Sequence, residues 1–213
     1  MKILVVDDHA VVRHGVKQIL IEHFQCSVIG EAQNAEEMIE QVQKKHWSIV
    51  ILDVGMPGKG GLDALKELKQ LHPKLPVLVL SAYPEDQLAL RTLKAGASGY
   101  LSKDSAPNEL VHAIRKIIAG GKYVSAAVAE LLALNLESDL EKPLHEQLSD
   151  REYQVLCMIA VGKSLKEIAD DLCVSISTVN TYRARILEKM QLKNNTELTH
   201  YAIENRLVNR LVT

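Results

Sequence analysis

Residues 49–53 are Ile-Val-Ile-Leu-Asp, four consecutive apolar residues that run directly into a carboxylate. Two other stretches share this design: residues 3–6 run into Asp7-Asp8, and residues 77–80 run into Ser81. Continuous apolar runs of this length are typical of parallel strands that are covered on both faces. Stretch 49–53 and its two counterparts therefore predict the centre of a parallel sheet.

Helical patterns alternate with these runs. Weaker strand candidates occur at residues 27–30 and 98–101. Amphipathic stretches predict helices at residues 10–22, 35–45, 61–71, 85–95 and 106–119. Alternating strands and helices indicate right-handed crossovers in a doubly wound α/β domain. This domain ends near Gly120-Gly121, so we assign residues 1–121 to it.

The second half of the chain has a different pattern. Residues 125–136 predict a helix, and residues 137–146 are charged and interrupted by Pro143, which is typical of a linker. We assign residues 122–146 to a helical and charged linker. From residue 148 onward only helices are predicted, at residues 150–161, 165–172, 176–190 and 195–205. Residues 147–213 should form a small all-α domain.

Composition excludes several classes of protein. The 213 residues carry a net charge of −2, which divides into −3 for residues 1–146 and +1 for residues 147–213. Bulk charge therefore does not decide whether the C-terminal domain binds nucleic acid. No apolar run approaches the roughly 18 residues of a membrane helix. The apolar run at the start of the chain meets Asp7-Asp8 at once and is too short for the apolar region of a signal peptide. We therefore expect a cytoplasmic protein with no membrane partner. Cys26, Cys157 and Cys173 form no CxxC pair and should be buried reduced thiols.

Polar side chains follow four of the five predicted strands. Asp7 and Asp8 follow the first, Asp53 the third, Ser81 the fourth and Lys103 the fifth. The carboxyl ends of parallel strands share one edge of the sheet, where open α/β folds bind ligands. Three close carboxylates need a cation, and Mg²⁺ suits them. Any one of these residues alone is more often a cap or a surface charge. Together they suit phosphoryl transfer to a carboxylate.

The segment around residues 164–190 predicts a short helix, a tight turn and a longer helix. In the longer helix one face is apolar and should pack inward, formed by Val179, Tyr182, Ile186 and Met190. The polar residues opposite should point away, namely Asn180, Thr181 and Arg185, with Arg183 at the margin. This is the helix-turn-helix arrangement, whose second helix enters the major groove of DNA. On periodicity alone, an ordinary helical bundle with a polar face remains open.

Residues 1–121 also resemble the CheY-like receiver domain of two-component response regulators. The matching residues are Asp7-Asp8, Asp53-Val-Gly-Met-Pro57, Gly61, Ser81-Ala82, Ala95-Gly96-Ala97 and Gly99-Tyr100-Leu-Ser-Lys103. The resemblance implies a flavodoxin-like sheet of order 2-1-3-4-5 and phosphorylation of Asp53. It further implies that Mg²⁺ is bound by Asp7, Asp8, Asp53 and the Gly55 carbonyl, and that Ser81 and Lys103 contact the phosphoryl oxygens.

Three further positions have two interpretations each. The resemblance implies that Tyr100 is a switch that moves inward on phosphorylation, whereas the alternative is a half-buried ring with its hydroxyl in water. Pro57 and Gly58 shape the loop after the acceptor, a role that turn geometry alone would also explain. His9 follows the acid pair, but we do not favour it as a metal ligand because no second histidine is near.

Residues 148–207 resemble the LuxR-type domain of NarL/FixJ regulators. The matching residues are Leu148-Ser-x-Arg151-Glu152, Ile159-Ala160-x-Gly162, Lys166-Glu167-Ile168-Ala169, Ser177-Thr178-Val179, Lys189-Met190 and Leu192. The resemblance implies a DNA surface formed by Lys166, Ser177, Thr178, Asn180, Thr181, Arg183, Arg185 and Lys189. It implies a sensor histidine kinase and promoter DNA as partners, and a homodimer on activation through residues 197–205. Acyl-homoserine lactone is not expected as a ligand, because the N-terminal half resembles a receiver.

Two other functions remain as alternatives. A phosphatase that works through an aspartyl-phosphate would need a substrate-binding cap and a second aspartate motif, and the chain has no insertion of that kind. An adaptor would use its helical bundle for protein contacts and bind no DNA. We predict a phosphorylation-dependent transcriptional regulator, not an enzyme, with at most weak self-phosphorylation and self-dephosphorylation.

Overall fold

The computed structural model describes residues 1–25, 28–56, 60–83, 85–105, 107–137, 143–205 and 207–208. The chain divides into two compact units, Met1–Ala129 and Glu130–Thr213. Pro57, Gly58 and Cys26 lie outside the described residues. The domain boundaries drawn from the sequence remain predictions.

The first unit is built on a five-stranded sheet. Its strands are β1 (Lys2–Val6), β2 (Val28–Ala32), β3 (Ile49–Leu52), β4 (Val77–Ser81) and β5 (Gly99–Ser102). The spatial order is β2-β1-β3-β4-β5 and every pairing is parallel. All residues of β3 and β4 are buried. The predicted fold class is confirmed, and the sheet shows why the central strands are apolar on both faces.

Helices join the strands. They are α1 (Ala10–His23), α2 (Ala35–Lys44), α3 (Gly61–Leu71), α4 (Glu85–Lys94), α5 (Pro107–Ile118) and α6 (Ala126–Glu137). On one face of the sheet, Leu20 of α1 and Ile114 of α5 pack with Ile3 and Ile51 in a common buried cluster. In a parallel sheet every loop from a strand to a helix lies at the carboxyl edge, and every loop from a helix to a strand lies at the opposite edge. The candidate site residues therefore share the carboxyl edge.

The second unit contains a short 3₁₀ helix (Leu144–Gln147) followed by α7 (Asp150–Ala160), α8 (Leu165–Asp171), α9 (Ile176–Met190) and α10 (Asn195–Glu204). Helix α7 packs against α9 and α10, and α8 packs against α9. Each of these four helices begins at a side chain that accepts a hydrogen bond from the amide three residues later, namely Ser149, Ser164, Ser175 and Asn194. Such caps satisfy amides that the helix itself leaves without partners.

The structure tests two predictions, one about the burial of the cysteines and one about membrane-spanning helices. Cys157 is a buried free thiol, as predicted, but Cys173 is exposed. The prediction for Cys173 was wrong because this residue forms the turn between α8 and α9, where its φ is +51°. Within the described part of the chain, no helix is both long and apolar enough to cross a membrane.

Candidate functional site

The carboxyl edge of the sheet brings together the acidic residues and the lysine. Asp7 follows β1, Asp53 follows β3, and both are nearly inaccessible, with relative exposures of 2% and 3%. The Nζ atom of Lys103, which follows β5, lies 2.6 Å from Asp7 Oδ2 and 2.7 Å from Asp53 Oδ2. One ammonium thus bridges two buried carboxylates from different strands.

Burial and charge shift the ionisation of this pair. Burial raises the pKa of Asp53 above its usual value, and this outweighs the opposing effects of Lys103 and the Gly55 amide. Burial also opposes the charge on Lys103, yet the Asp53 and Asp7 carboxylates prevail and raise the pKa of Lys103. A buried carboxylate that is reluctant to ionise will favour any ligand that brings positive charge to it.

The cluster fits a divalent cation. Ligand atoms of Asp7, Asp8, His9 and Asp53 all lie within 4.8 Å of one another. Three carboxylates against the single Lys103 ammonium leave two negative charges, which one Mg²⁺ would balance. Asp8 Oδ1 is buried and accepts no hydrogen bond from the described residues, although His9 Nδ1 lies 3.0 Å away. An oxygen in this state is suited to a cation.

The other side of Asp53 is held by its own loop and by α3. Asp53 Oδ1 accepts a 2.7 Å hydrogen bond from the amide of Gly55. Helix α3 begins against the same backbone, because a Cβ at Gly61 would lie 2.3 Å from the Asp53 carbonyl oxygen and 2.4 Å from Val54 Cα. No side chain fits in that space, so glycine at this position allows α3 to abut the end of β3.

Arg13 is a part of the site that our sequence analysis missed. Its side chain is buried, and its Nη1 donates a 2.7 Å hydrogen bond to the main-chain oxygen of Asp7. Its Nε lies 3.5 Å from Glu31 Oε2 on β2. Arg13 therefore fixes the end of β1, where the acid pair begins. The available signal was an arginine on the inward face of the amphipathic stretch 10–22.

Ser81 and Tyr100 are joined through the main chain of Tyr83. The Oγ of Ser81 is fully buried and accepts a 3.1 Å hydrogen bond from the Tyr83 amide. The Tyr100 hydroxyl donates a 2.7 Å hydrogen bond to the Tyr83 carbonyl oxygen. Because the Tyr100 ring is fully buried, the alternative of a half-buried ring with its hydroxyl in water is wrong.

The second unit presents a polar face on α9. Val179, Ile186 and Met190 are buried as predicted, whereas Tyr182 is half-buried. Several predicted DNA-contacting residues are exposed, namely Ser177, Asn180, Thr181 and Arg185 on α9 and Lys166 on α8. Thr178 is half-buried, and its hydroxyl is paired with the Ser175 hydroxyl at 2.8 Å.

Two of the basic residues predicted to contact DNA pair with other helices of the unit. The Nε of Arg183 donates to Asn195 Oδ1 at the start of α10. The Nζ of Lys189 lies 2.6 Å from Glu152 Oε2, and the Glu152 carboxylate is 3% exposed. The structure thus gives Lys189 a structural role that joins α9 to α7, and we leave it out of the DNA surface proposed below.

The Glu152 carboxylate predicts a pH-dependent stability. The same Oε2 atom accepts from Lys189 and, at 2.8 Å, from the Ser149 amide. Burial opposes the charge, but these hydrogen bonds outweigh it and hold the pKa of Glu152 below its usual value. A lowered pKa stabilises the fold above the unfolded value of about 4.3, and this stabilisation is lost as pH falls through the folded pKa.

We therefore expect Glu152→Gln to lower the free energy of unfolding of the helical unit by about 1–3 kcal/mol at pH 7. The wild-type and variant proteins should converge at an acidic pH below the lowered pKa of Glu152. Urea unfolding followed by circular dichroism at both pH values measures this difference. Glu167→Gln alters the equivalent but exposed capping box of α8 and should lower the free energy of unfolding by less. An equal decrease in the free energy of unfolding in the two variants would show that the ion pair between Glu152 and Lys189 adds nothing to stability.

Comparisons with known proteins match a family pattern to each of the two units. The family pattern described as the response regulator receiver domain matches residues 3–115. The pattern described as bacterial regulatory proteins of the luxR family matches residues 146–202.

Individual relatives match over nearly the full chain. The response regulator GacA of Pseudomonas protegens is 38% identical over 208 residues, which cover 98% of each chain. The response regulator UvrY of Escherichia coli is 36% identical over 210 residues, covering 98% of this chain and 96% of that one. Among solved structures, RcsB from Salmonella enterica serovar Typhimurium, bound to promoter rprA in the presence of the phosphomimetic BeF₃⁻, has a TM-score of 0.63 and 25% identity, covering 94% of this chain and 98% of that one.

Proposed function

This chain belongs to the NarL/FixJ family of two-component response regulators, and we propose that phosphorylation of Asp53 controls binding of promoter DNA by its helical unit. The observation that carries the proposal is the Lys103 ammonium, which joins Asp53 and Asp7 across three strands of the sheet. The chain contains the two domains of a transcription factor of this family, a receiver domain and a LuxR-type DNA-binding domain.

In the proposed input step, an oxygen of Asp53 attacks the phosphorus of a phosphohistidine on a sensor histidine kinase. A new oxygen–phosphorus bond forms, which makes Asp53 an acyl phosphate. The phosphorus–nitrogen bond of the donor breaks, and its electron pair returns to the histidine. Mg²⁺, held by Asp7, Asp8, Asp53 and the Gly55 carbonyl, would neutralise the developing charge. The chain's own catalytic contribution is weak, limited to slow self-phosphorylation from small donors and slow self-dephosphorylation.

The protein residues then respond to the new charge. A phosphoryl group adds roughly −1.5 to −2 charge and strong acceptor oxygens. Lys103, already 2.7 Å from Asp53 Oδ2, would contact one of these oxygens. The Ser81 hydroxyl would turn towards another and release the Tyr83 amide. The main chain of Tyr83 also accepts from Tyr100, so this release would be transmitted to Tyr100 as a switch.

In the proposed output step, the exposed face of α9 enters the major groove. Arg and Asn side chains can read guanine and adenine, while Ser, Thr and Lys hold phosphates. We assign Asn180 and Arg185 to base edges, and Lys166, Ser177 and Thr181 to the backbone. A homodimer formed through α10 would place two such helices on half-sites about one helical turn apart. The complex of RcsB with a promoter in the presence of a phosphomimetic supports this order of events.

A pair of substitutions on α9 tests the output. We expect Arg185→Ala to weaken DNA binding by roughly 10-fold or more, because it removes an exposed cation that no other described residue pairs. Glu188→Gln, one turn further along the same exposed face, should leave affinity unchanged or raise it. Duplexes selected from a random pool by the full chain, treated with acetyl phosphate and Mg²⁺, provide the DNA for titration.

The adaptor alternative predicts a different result. If no duplex is enriched at any salt concentration, or if Arg185→Ala and Glu188→Gln change binding equally, α9 does not read DNA and the output half of the proposal fails. Enrichment that does not depend on acetyl phosphate would separate DNA binding from the proposed control by Asp53.

A further inference from the structure

A cavity lies at the edge of the sheet opposite the acidic cluster. It has a volume of about 480 Å³ and is lined by the ends of α2 and α3 and by the loops that follow them. Val42, Trp47 and Leu71 give it an apolar lining. Ligand pockets typically occupy about 300–1,000 Å³, so this cavity is large enough for a small organic molecule.

The cavity is bordered by basic side chains. Lys45 and His46 contribute from the α2–β3 loop, and His72 and Lys74 from the α3–β4 loop. No acidic residue is among the lining residues. The loops that enter strands β2, β3, β4 and β5 contain no aspartate or glutamate either. Carboxylates concentrate at the opposite edge, so the receiver has one acidic edge and one basic edge.

The positive charge at this edge is not fully compensated. Lys69, whose Nζ donates a 2.9 Å hydrogen bond to the Leu75 carbonyl, has a pKa lowered by burial and further by the charge of Lys122. Part of the basic character has a structural explanation, because Lys45 and His72 end α2 and α3, where cations stabilise the helix dipole. Lys74 lies beyond both helix ends and has no such explanation.

The walls of the cavity are held in place. The indole Nε1 of Trp47 donates a 3.0 Å hydrogen bond to the Gln41 carbonyl. Its ring lies so close to β2 that a Cβ at Gly30 would be 2.3 Å from Cη2. The bond from Lys69 to Leu75 fixes the opposite loop. A preformed apolar cavity with fixed walls needs little ordering when a ligand binds.

We propose that this cavity binds a small organic anion with an apolar body, such as an aryl or alkyl carboxylate, sulfonate or phosphate. The apolar part would lie against Val42, Trp47 and Leu71, and the anionic group would meet Lys45 and Lys74. This inference does not depend on phosphorylation of Asp53 or on DNA binding.

A matched pair of dyes tests it on the full-length protein. The sulfonated dye is 8-anilino-1-naphthalenesulfonate, and N-phenyl-1-naphthylamine has the same rings without the sulfonate. Trp47 is the single tryptophan of the chain, so energy transfer from it shows that the dye binds near this tryptophan, and the lysine variants decide whether it lies in this cavity. We expect saturable transfer to the sulfonated dye and at least about fivefold weaker binding of the neutral one.

Charge variants decide whether the two lysines are responsible. Lys45→Gln/Lys74→Gln should weaken binding of the sulfonated dye by about fivefold or more and leave the neutral dye unaffected. Lys163→Gln/Lys193→Gln makes the same charge change at two exposed positions of the other unit and should have no effect. Raising the salt concentration should weaken binding of the sulfonated dye and leave binding of the neutral dye unchanged.

Three outcomes would overturn the proposal. The first is dye binding without energy transfer from Trp47, which would place the dye elsewhere. The second is equal affinity in both double variants, which would leave the lysines with a helix-capping role alone. The third is absence of saturable binding of the sulfonated dye by the wild-type protein.

Discussion

Replacing Asp53 with asparagine should abolish labelling of the chain by a small phosphodonor in the presence of Mg²⁺, a loss of at least about 100-fold, because an amide oxygen is a far weaker nucleophile than a carboxylate. Asp7 and Asp8, the other carboxylates of the cluster, are the proposed ligands of Mg²⁺, so we do not expect either to replace Asp53 as the acceptor. Radiolabelled acetyl phosphate followed by hydroxylamine treatment measures the acyl phosphate directly.

The same substitution should leave the protein folded. Burial raises the pKa of Asp53, so folding favours its neutral form, and the ionised carboxylate costs stability at every pH above its unfolded pKa of about 3.9. An asparagine removes that cost. We therefore expect a higher thermal midpoint for Asp53→Asn at pH 7 without divalent cations, and a smaller difference when Mg²⁺ stabilises the wild-type protein.

Asp104→Asn is the control, because Asp104 is exposed and directly follows Lys103. It should be labelled like the wild type. Labelling of Asp53→Asn at the wild-type rate would move the acceptor to another residue and contradict the input half of the proposed function.

Gly61→Ala should lower the free energy of unfolding of the sheet unit by about 3 kcal/mol, since a new methyl group must displace backbone and not a flexible side chain. The atoms it would meet are the carbonyl oxygen of Asp53 and the Cα of Val54. Both belong to the loop that positions the acceptor. The folded fraction of this variant should therefore also accept phosphoryl groups more slowly.

The control is a second glycine-to-alanine change in the same unit. Gly15 lies within α1, and a Cβ built there would meet no atom within 4 Å beyond the adjacent backbone of the helix itself. Gly15→Ala should raise the free energy of unfolding by about 0.5–1 kcal/mol, because alanine loses less backbone entropy in a helix. Urea unfolding followed by Trp47 fluorescence compares the two. A Gly61→Ala protein as stable as the wild type would mean that α3 can shift without cost.

Periodicity predicted the elements of this chain well. Helices 61–71 and 176–190 have the bounds expected from their apolar spacing, and the runs at 49–52 and 77–80 are strands of the buried sheet. The convergence of Asp7, Asp53 and Lys103 followed from parallel topology alone. In each case a local repeat in the sequence determines which face is buried, and topology determines which loop ends meet.

Pairing between side chains distant in the sequence could not be predicted in this way. Lys189 stands on the polar side of α9, but its partner Glu152 is 37 residues away, and periodicity does not encode that contact. The bond from Tyr100 to the main chain of Tyr83 was missed for the same reason, whereas the exposure of Cys173 follows from its local turn conformation. The role of Arg13 required knowing that α1 brings its inner face against the end of β1.

The capped helices of the second unit also bear on the order of folding. Each cap joins residues only three positions apart, whereas β1 must find β3 across the chain, as in the pairing of Ile3 with Ile49. Local contacts close quickly, and parallel pairing between distant segments is slow. When the denatured chain refolds, we expect α9 and its neighbours to form before the acceptor pocket is complete. For that interval the chain would carry a folded α9, the helix that we propose reads DNA, without a pocket able to receive a phosphoryl group.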